Sequence, residues 1–253
     1  MESNDWNTSK TAEDYDRFSS EFSLYKTLAE HLLRLRQPCD GDMVIDLACG
    51  TGVLGRTILG SLDSPKLRIV GLDASDAMLN VARRTTDHRA TWYRYEVSSQ
   101  SAAATFRDAD VVYCSAAMHF LGMEAAFECC RALLRQGGSF CFNLHSAFMF
   151  PAHVEAVLGS PCRSAGGPEG SWFAPDRARV WTPGRVRQVA ESFGFTLDET
   201  SSIRVELEAG AQTAFRRIGR GQATGEPAQS EASRLGAGAT EVWMGFRCTR
   251  TSG

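Results

Sequence analysis

The chain has 253 residues, 43% of them hydrophobic and 23% charged, a composition that suits one sizeable α/β domain. Its formal net charge of -3 leaves no basic footprint for nucleic acid or for an anionic membrane surface. The opening MESNDWNTSK lacks the apolar centre of a signal peptide, and no run reaches the 18 or so apolar residues of a membrane span. The eight cysteines contain no CxxC pair and no ligand spacing, so core cysteines, no metal site and a reduced, cytoplasmic setting are expected.

In chain order, residues Ser20 to Arg36 are expected to form one amphipathic helix. Tyr25, Leu28, Ala29, Leu32 and Leu35 trace its apolar face, Lys26, Glu30 and Arg34 the other, and His31 is expected to face solvent, like His88 further on. MVIDLAC (43–49) reads as a continuous buried strand, Thr51 to Leu59 as a helix and LRIVGLD (67–73) as the next strand. Ser75 caps a helix to about Arg84, with Ala77, Met78, Val81 and Ala82 inward. TWYRYEV (91–97) and DVVYCSA (110–116) follow as strands, then a helix from Met123 to Arg135 ended by Gly137-Gly138, then the strand SFCFNLH (139–145).

Pro183 opens the helix VRQVAESFGF, and IRVELE and EVWMGFRCT are the last strands. Short apolar strands alternating with helices indicate a doubly wound, mostly parallel, Rossmann-like α/β sheet of seven strands, with the last two as an antiparallel edge hairpin. Segments 160–184 and 209–240 read as irregular.

VIDLACGTGVLG (44–55) poses the functional question. Its last six residues fit G-x-G-x-x-G, a turn that brings backbone close to a dinucleotide pyrophosphate. Ligands of such sheets bind beyond the strands' carboxyl ends, and Asp73, ending the second strand, stands where a carboxylate accepts ribose hydroxyls. Both NAD and S-adenosylmethionine have that ribose. Asp46 separates them: an acid beside the turn complements the ammonium of a methionine portion and repels a pyrophosphate.

DLACGTG (46–52), IVGLDASDAMLNVAR (69–83), DADVVYCSAAMHFL (108–121) and LLRQGGSFCFNLH (133–145) together resemble, in order and spacing, the motifs of class I S-adenosylmethionine-dependent methyltransferases. The resemblance spans about residues 10 to 150. It implies that Asp46 orients the methionyl amino group, that Gly50 and Gly52 meet the cofactor backbone to backbone, and that Asp73 holds the ribose. It places Ala74 and Met78 against adenine, Glu96-Val97 where the family often has Asp-Ala, and Ser115 with Ala116 under the methionine portion. Ala48 stands where the family more commonly has Gly. Also implied is a single domain, 1–253, with a helical lid (1–37), a cofactor-binding core (38–145) and a substrate side (146–253). The partner is a small molecule; oligomeric state is left open.

Beyond the cofactor, His119 in AAMHF fits either a general base for the acceptor or a packing residue. His145 is a second candidate, and Asn143 is either a pocket group or satisfied by backbone. Tyr15, with Phe18, Phe22 and Tyr25, is expected to wall the acceptor cavity or to staple the lid to the core, the latter for Phe22 and Tyr25. Trp172, Phe173 and Trp181 are read as pocket cover, and Arg216 and Arg217 as a solvated face. Cyclisation or aminocarboxypropyl transfer on the same fold, or an NAD-dependent oxidoreductase, are the alternatives to methyl transfer.

Overall fold

The computed structural model describes residues 6–86, 88–97, 105–146, 181–218 and 240–251. Seven strands form one sheet in the order β3-β2-β1-β4-β5-β7-β6. These are β1 (Met43–Leu47), β2 (Arg68–Asp73), β3 (Ala90–Arg94), β4 (Ala109–Cys114), β5 (Leu134–His145), β6 (Phe195–Glu206) and β7 (Thr240–Arg250). The first five pair in parallel, and β7 runs antiparallel to both β5 and β6, which makes the expected edge hairpin. Strand order reverses between β1 and β4, so the crevice beyond their carboxyl ends is where a ligand of this sheet belongs.

Helices cover both faces. On one, α2 (Leu24–Leu35), α3 (Val53–Ser61) and α4 (Asp76–Thr85) bury Leu32, Ile58 and Leu79 against Val44, Ile69 and Val111. On the other, α6 (Met123–Leu133) and α7 (Pro183–Ser192) bury Phe127, Leu133, Val186 and Ala190 against Ile45, Val112 and Phe140. Trp181 joins this second core, under the Arg185 guanidinium at 4.6 Å. Trp172 and Phe173 lie outside the described residues. Two short helices, α5 (Met118–Leu121) and α8 (Ala211–Arg216), flank the ligand edge, with Arg217 exposed just after α8. Six of the described cysteines are buried, Cys114, Cys130 and Cys141 among them. Among the described residues, no helix is long and apolar enough to cross a membrane.

The N-terminal region departs from expectation. Instead of one helix from Ser20, there are two: α1 (Ser9–Glu21), capped by the Thr8 hydroxyl, and α2. Phe22 between them is extended, and the Ser23 amide donates to Glu208 Oε1 at 2.9 Å, so a distant carboxylate fixes the break. His31 is not solvent-facing. It is 3% exposed, its Nε2 lies 2.7 Å from Ser201 Oγ, and Gly245 of β7 leaves room for its ring. The α6 helix ends at Leu133, and Gly137-Gly138 fall within the bounds of β5. β6 starts at Phe195, eight residues before IRVELE; as an edge strand it pairs on one side only and carries polar residues such as Glu199 and Ser202 outward.

Candidate active site

The turn after β1 is built from left-handed backbone. Ala48 (φ 57°), Gly50 (φ 54°) and Gly52 (φ 84°) alternate with ordinary residues, and the Cys49 and Gly52 amides donate to the Leu72 and Cys49 carbonyls. Asp73 at the end of β2 ties this turn to the next: its Oδ2 accepts from the Gly50 amide and its Oδ1 from the Ser75 amide, both at 2.8 Å. Burial raises the Asp73 pKa while those amides, with that of Ala74, oppose the rise. Three such bonds still leave a carboxylate with acceptor capacity to spare.

Three glycines serve a different end. A Cβ on Gly52, Gly55 or Gly71 would come within 2.8, 2.9 and 2.0 Å of the Trp92 indole respectively. The glycine that completes G-x-G-x-x-G is therefore required by packing against a tryptophan on β3, and it no longer argues for a pyrophosphate. Ser75 caps α4 through its hydroxyl, as expected, and that hydroxyl also donates to the Trp6 carbonyl at 2.7 Å. With the Arg56–Asp16 pair at 2.9 Å, this latches α1 across the crevice.

Asp46 is 1% exposed, and its Oδ2 has no hydrogen-bond partner. Burial, then the nearby Asp73 charge, push its pKa up to about 8, against a smaller opposing effect of the Gly55 backbone. The Thr51 hydroxyl, fully buried in the same turn, also lacks a partner. Tyr15 of α1 lies over the turn, 3.7 Å from where a Gly50 Cβ would stand. Burial raises its phenol pKa, and the Asp73 and Asp46 charges add to the rise, so it keeps its proton. Met78 packs with Ala12, Ala77 and Val81 beneath Trp6 and Tyr15. Ala74 is exposed at the rim, and Val97 is partly buried against the core.

Glu96 points to solvent, with Arg94 Nη2 at 3.5 Å from its Oε1, and the side chain directed inward at that place is Tyr95. Beyond β4, Ser115 is partly buried and Ala116 takes φ 55°, its amide donating to Asn143 Oδ1 at 2.6 Å. Asn143 Nδ2 donates to the Leu28 carbonyl at 3.5 Å, so backbone groups occupy that side chain. His119 sits on α5 with its ring 4.0 Å from Phe120, and burial, then His145, bring its pKa down to about 4.

Sequence reasoning named His145 and Tyr25 here but missed Glu241 and Trp243. Tyr25, expected as a staple in preference to a cavity wall, has its ring 5.1 Å from Tyr15 and packs in one cluster with Tyr15, Ala116 and Trp243. His145 Nε2 lies 3.9 Å from Glu241 Oε2. The alternation Glu241-Val242-Trp243 at the start of β7 held the signal, once that strand is paired antiparallel to β5.

The methyltransferase domain family matches residues 45–140. A malonyl-[acyl-carrier protein] O-methyltransferase of Legionella pneumophila is 31% identical over 46% of this chain and 40% of its own length. An N-demethylindolmycin N-methyltransferase of Streptomyces griseus is 24% identical over 52% and 56% respectively. The chain thus spans about half the length of these curated relatives. In fold, it is similar to a TehB-like SAM-dependent methyltransferase of Corynebacterium glutamicum, with a TM-score of 0.53 at 15% identity over 95% of this chain and 98% of that one. Over residues 45–140, which carry the turn, Asp46 and Asp73, the chain is similar to the methyltransferase domain family.

Proposed function

We propose that the chain is an S-adenosylmethionine-dependent methyltransferase acting on a small-molecule metabolite. One observation carries the reading: a buried Asp46 oxygen without a partner, set beside a turn of left-handed backbone. A methionyl ammonium satisfies that oxygen, whereas a pyrophosphate would raise the cost of burying it. In this reading Ala48, Gly50 and Gly52 meet the cofactor through their backbone, and Asp73 takes the ribose hydroxyls on its remaining lone pairs. Ala74 and Met78 serve the adenine, with Val97 at its edge, and Ser115 lies under the methionine portion. Glu96 reaches the adenine only by leaving Arg94.

The bound cofactor supplies a methyl group on a sulfonium, whose leaving group is already activated. The chain's own work is alignment and exclusion of water, given to α1 and its Tyr15, with residues 1–37 as the lid. Tyr15 acts as wall and hydrogen-bond donor, since its raised pKa holds its proton in place. His119, neutral at physiological pH, is the group offered to take a proton from the acceptor, as a weak base. The relatives' names specify an oxygen acceptor in one case and a nitrogen acceptor in the other, so neither atom is inherited from them.

Calorimetry with S-adenosylmethionine, S-adenosylhomocysteine and NAD tests the cofactor. Saturable binding of the first two is expected, and preference for NAD would overturn the reading. Incubation with a metabolite extract should then yield S-adenosylhomocysteine; methylthioadenosine would instead mean transfer of the aminocarboxypropyl arm.

A further inference from the structure

The β7 side of the ligand edge holds a carboxylate that methyl transfer itself does not use. Glu241 is the second residue of β7, and the antiparallel pairing with β5 brings it to the same sheet edge as the carboxyl ends of β1, β4 and β5. Trp243, two residues on and so on the same face, donates its indole N–H to Glu241 Oε2 at 3.0 Å. Its ring stands edge-on to His145 at 4.9 Å, and His145 pairs with it in register across the sheet. Tyr25 feels the Glu241 charge and neighbours Tyr15, which covers Gly50. A continuous line of groups therefore joins the glycine turn to this acid.

Its surroundings ask for a cation. Among the described residues no Lys or Arg pairs with Glu241, and the basic group near it, His145, is neutral at physiological pH because burial lowers its pKa to about 4. The Trp243 N–H accounts for one oxygen only. The side chain keeps 17% of its surface exposed, enough for a ligand to reach it. A carboxylate withdrawn from water without a positive partner is costly, and fixing one indole is a small return for it.

We propose that Glu241 anchors a protonated amine of the acceptor, so that the substrate is a small metabolite carrying a basic nitrogen apart from the atom that receives the methyl group. This rests on the methyltransferase reading.

The test uses the full chain and a set of arylalkylamines, each matched with the alcohol and the carboxylic acid of the same skeleton. Binding is followed by saturation-transfer NMR in the presence of S-adenosylhomocysteine. The wild type should favour amines over alcohols, and Glu241→Gln should weaken amine binding by about ten- to a hundredfold while leaving the alcohols within about twofold. Glu241→Lys should turn the preference toward the acids. Equal binding of amines and alcohols, no amine binding at millimolar concentration, or no loss in Glu241→Gln would overturn the proposal. S-adenosylhomocysteine binding by each variant, measured calorimetrically, separates the two claims. If it is intact while amine preference is absent, only the anchor is wrong; if the wild type binds no S-adenosylhomocysteine, the methyltransferase reading itself fails. Trp243→Phe, which keeps an aromatic ring and drops the N–H, frees the Glu241 oxygen without altering charge and should not lower amine affinity; a fall to the level of Glu241→Gln would overturn the anchor.

Discussion

Around β1 and β2 the candidate site is made of backbone; around β5 and β7 it is made of side chains. The first region offers a backbone turn and two carboxylates, all within 28 residues from Asp46 to Asp73, with Ala48, Gly50 and Gly52 held left-handed. The second gathers Tyr25, His145, Glu241 and Trp243 from α2, β5 and β7, more than 200 residues apart at the extremes. Burial raises the acids Asp46 and Asp73 on one side and Glu241 on the other, and lowers His119 and His145, so both sides tend toward neutrality without a ligand. A cofactor common to a family can be served by geometry written into one short stretch. An acceptor particular to one protein is served by side chains recruited from wherever the chain returns to that edge.

The backbone side should be the less tolerant of added atoms. Gly71→Ala places a methyl group 2.0 Å from Trp92, and neither the strand nor the buried indole can move far. We expect a loss of about 3 kcal/mol in urea melts, with partial recovery in Gly71→Ala/Trp92→Leu. A loss below about 1 kcal/mol would show that the tryptophan is not seated on these glycines.

Asp46→Asn should set function against stability. The affinity for S-adenosylmethionine should fall about thirtyfold to a hundredfold, because a charge-assisted contact is lost. The ligand-free protein should become more stable at neutral pH by about 1–3 kcal/mol, since a buried carboxyl is removed. The folded pKa of Asp46 is raised to about 8, so its stabilising proton is fully bound below the unfolded value of 3.8 and is lost as pH rises through 8. Binding of a cation there should release that proton near neutral pH, which calorimetry in buffers of different ionisation enthalpy detects. An unchanged affinity in Asp46→Asn would remove the basis for choosing a sulfonium cofactor.

Much of the backbone side was legible in the sequence. DLACGTG, the acid at 73 and the Ser75 cap are local patterns whose chemistry acts within a few residues of where it is written. What escaped notice depends on distance. Trp92 explains Gly55, yet nothing in VLGR points to a tryptophan 37 residues later. The break at Phe22 hangs on Glu208, and the polar first half of β6 is held by pairing with β7. His31 was within reach: it stands three residues after Leu28 and four before Leu35, on the apolar face.

Histidine titration sharpens the contrast at the next level of effect. The folded pKa of His31 is lowered to about 4 by burial and by Arg34, so the stability it contributes is present above 6.5 and is lost as pH falls through 4. Asp46 acts with the opposite sign over the same range, gaining its native proton advantage as pH falls. His31→Gln should therefore flatten the acid loss of stability between pH 6.5 and 4 by about 2 kcal/mol, while Asp46→Asn should steepen it. Parallel melting curves for both variants across that range would contradict the assignment of either group.

The smallest effect concerns two alanines. Ala48 after β1 and Ala116 after β4 both adopt left-handed backbone, at φ 57° and 55°, at the two edges of the same crevice. A β-carbon in that conformation costs about 1–2 kcal/mol, and replacement by glycine recovers it less about 0.4–1 kcal/mol of added freedom in the unfolded chain. The methyl group of Ala48 packs against the core of Ile45 and Val112, so Ala48→Gly should gain at most about 0.5 kcal/mol. Ala116 packs in the cluster with Tyr15, Tyr25 and Trp243, and its amide is in addition bonded to Asn143. Ala116→Gly should gain nothing, since the packing lost offsets the strain relieved. Equal gains at both positions would mean that the methyl group of Ala116 packs no better than that of Ala48, and that the side-chain character of the acceptor side stops short of β4.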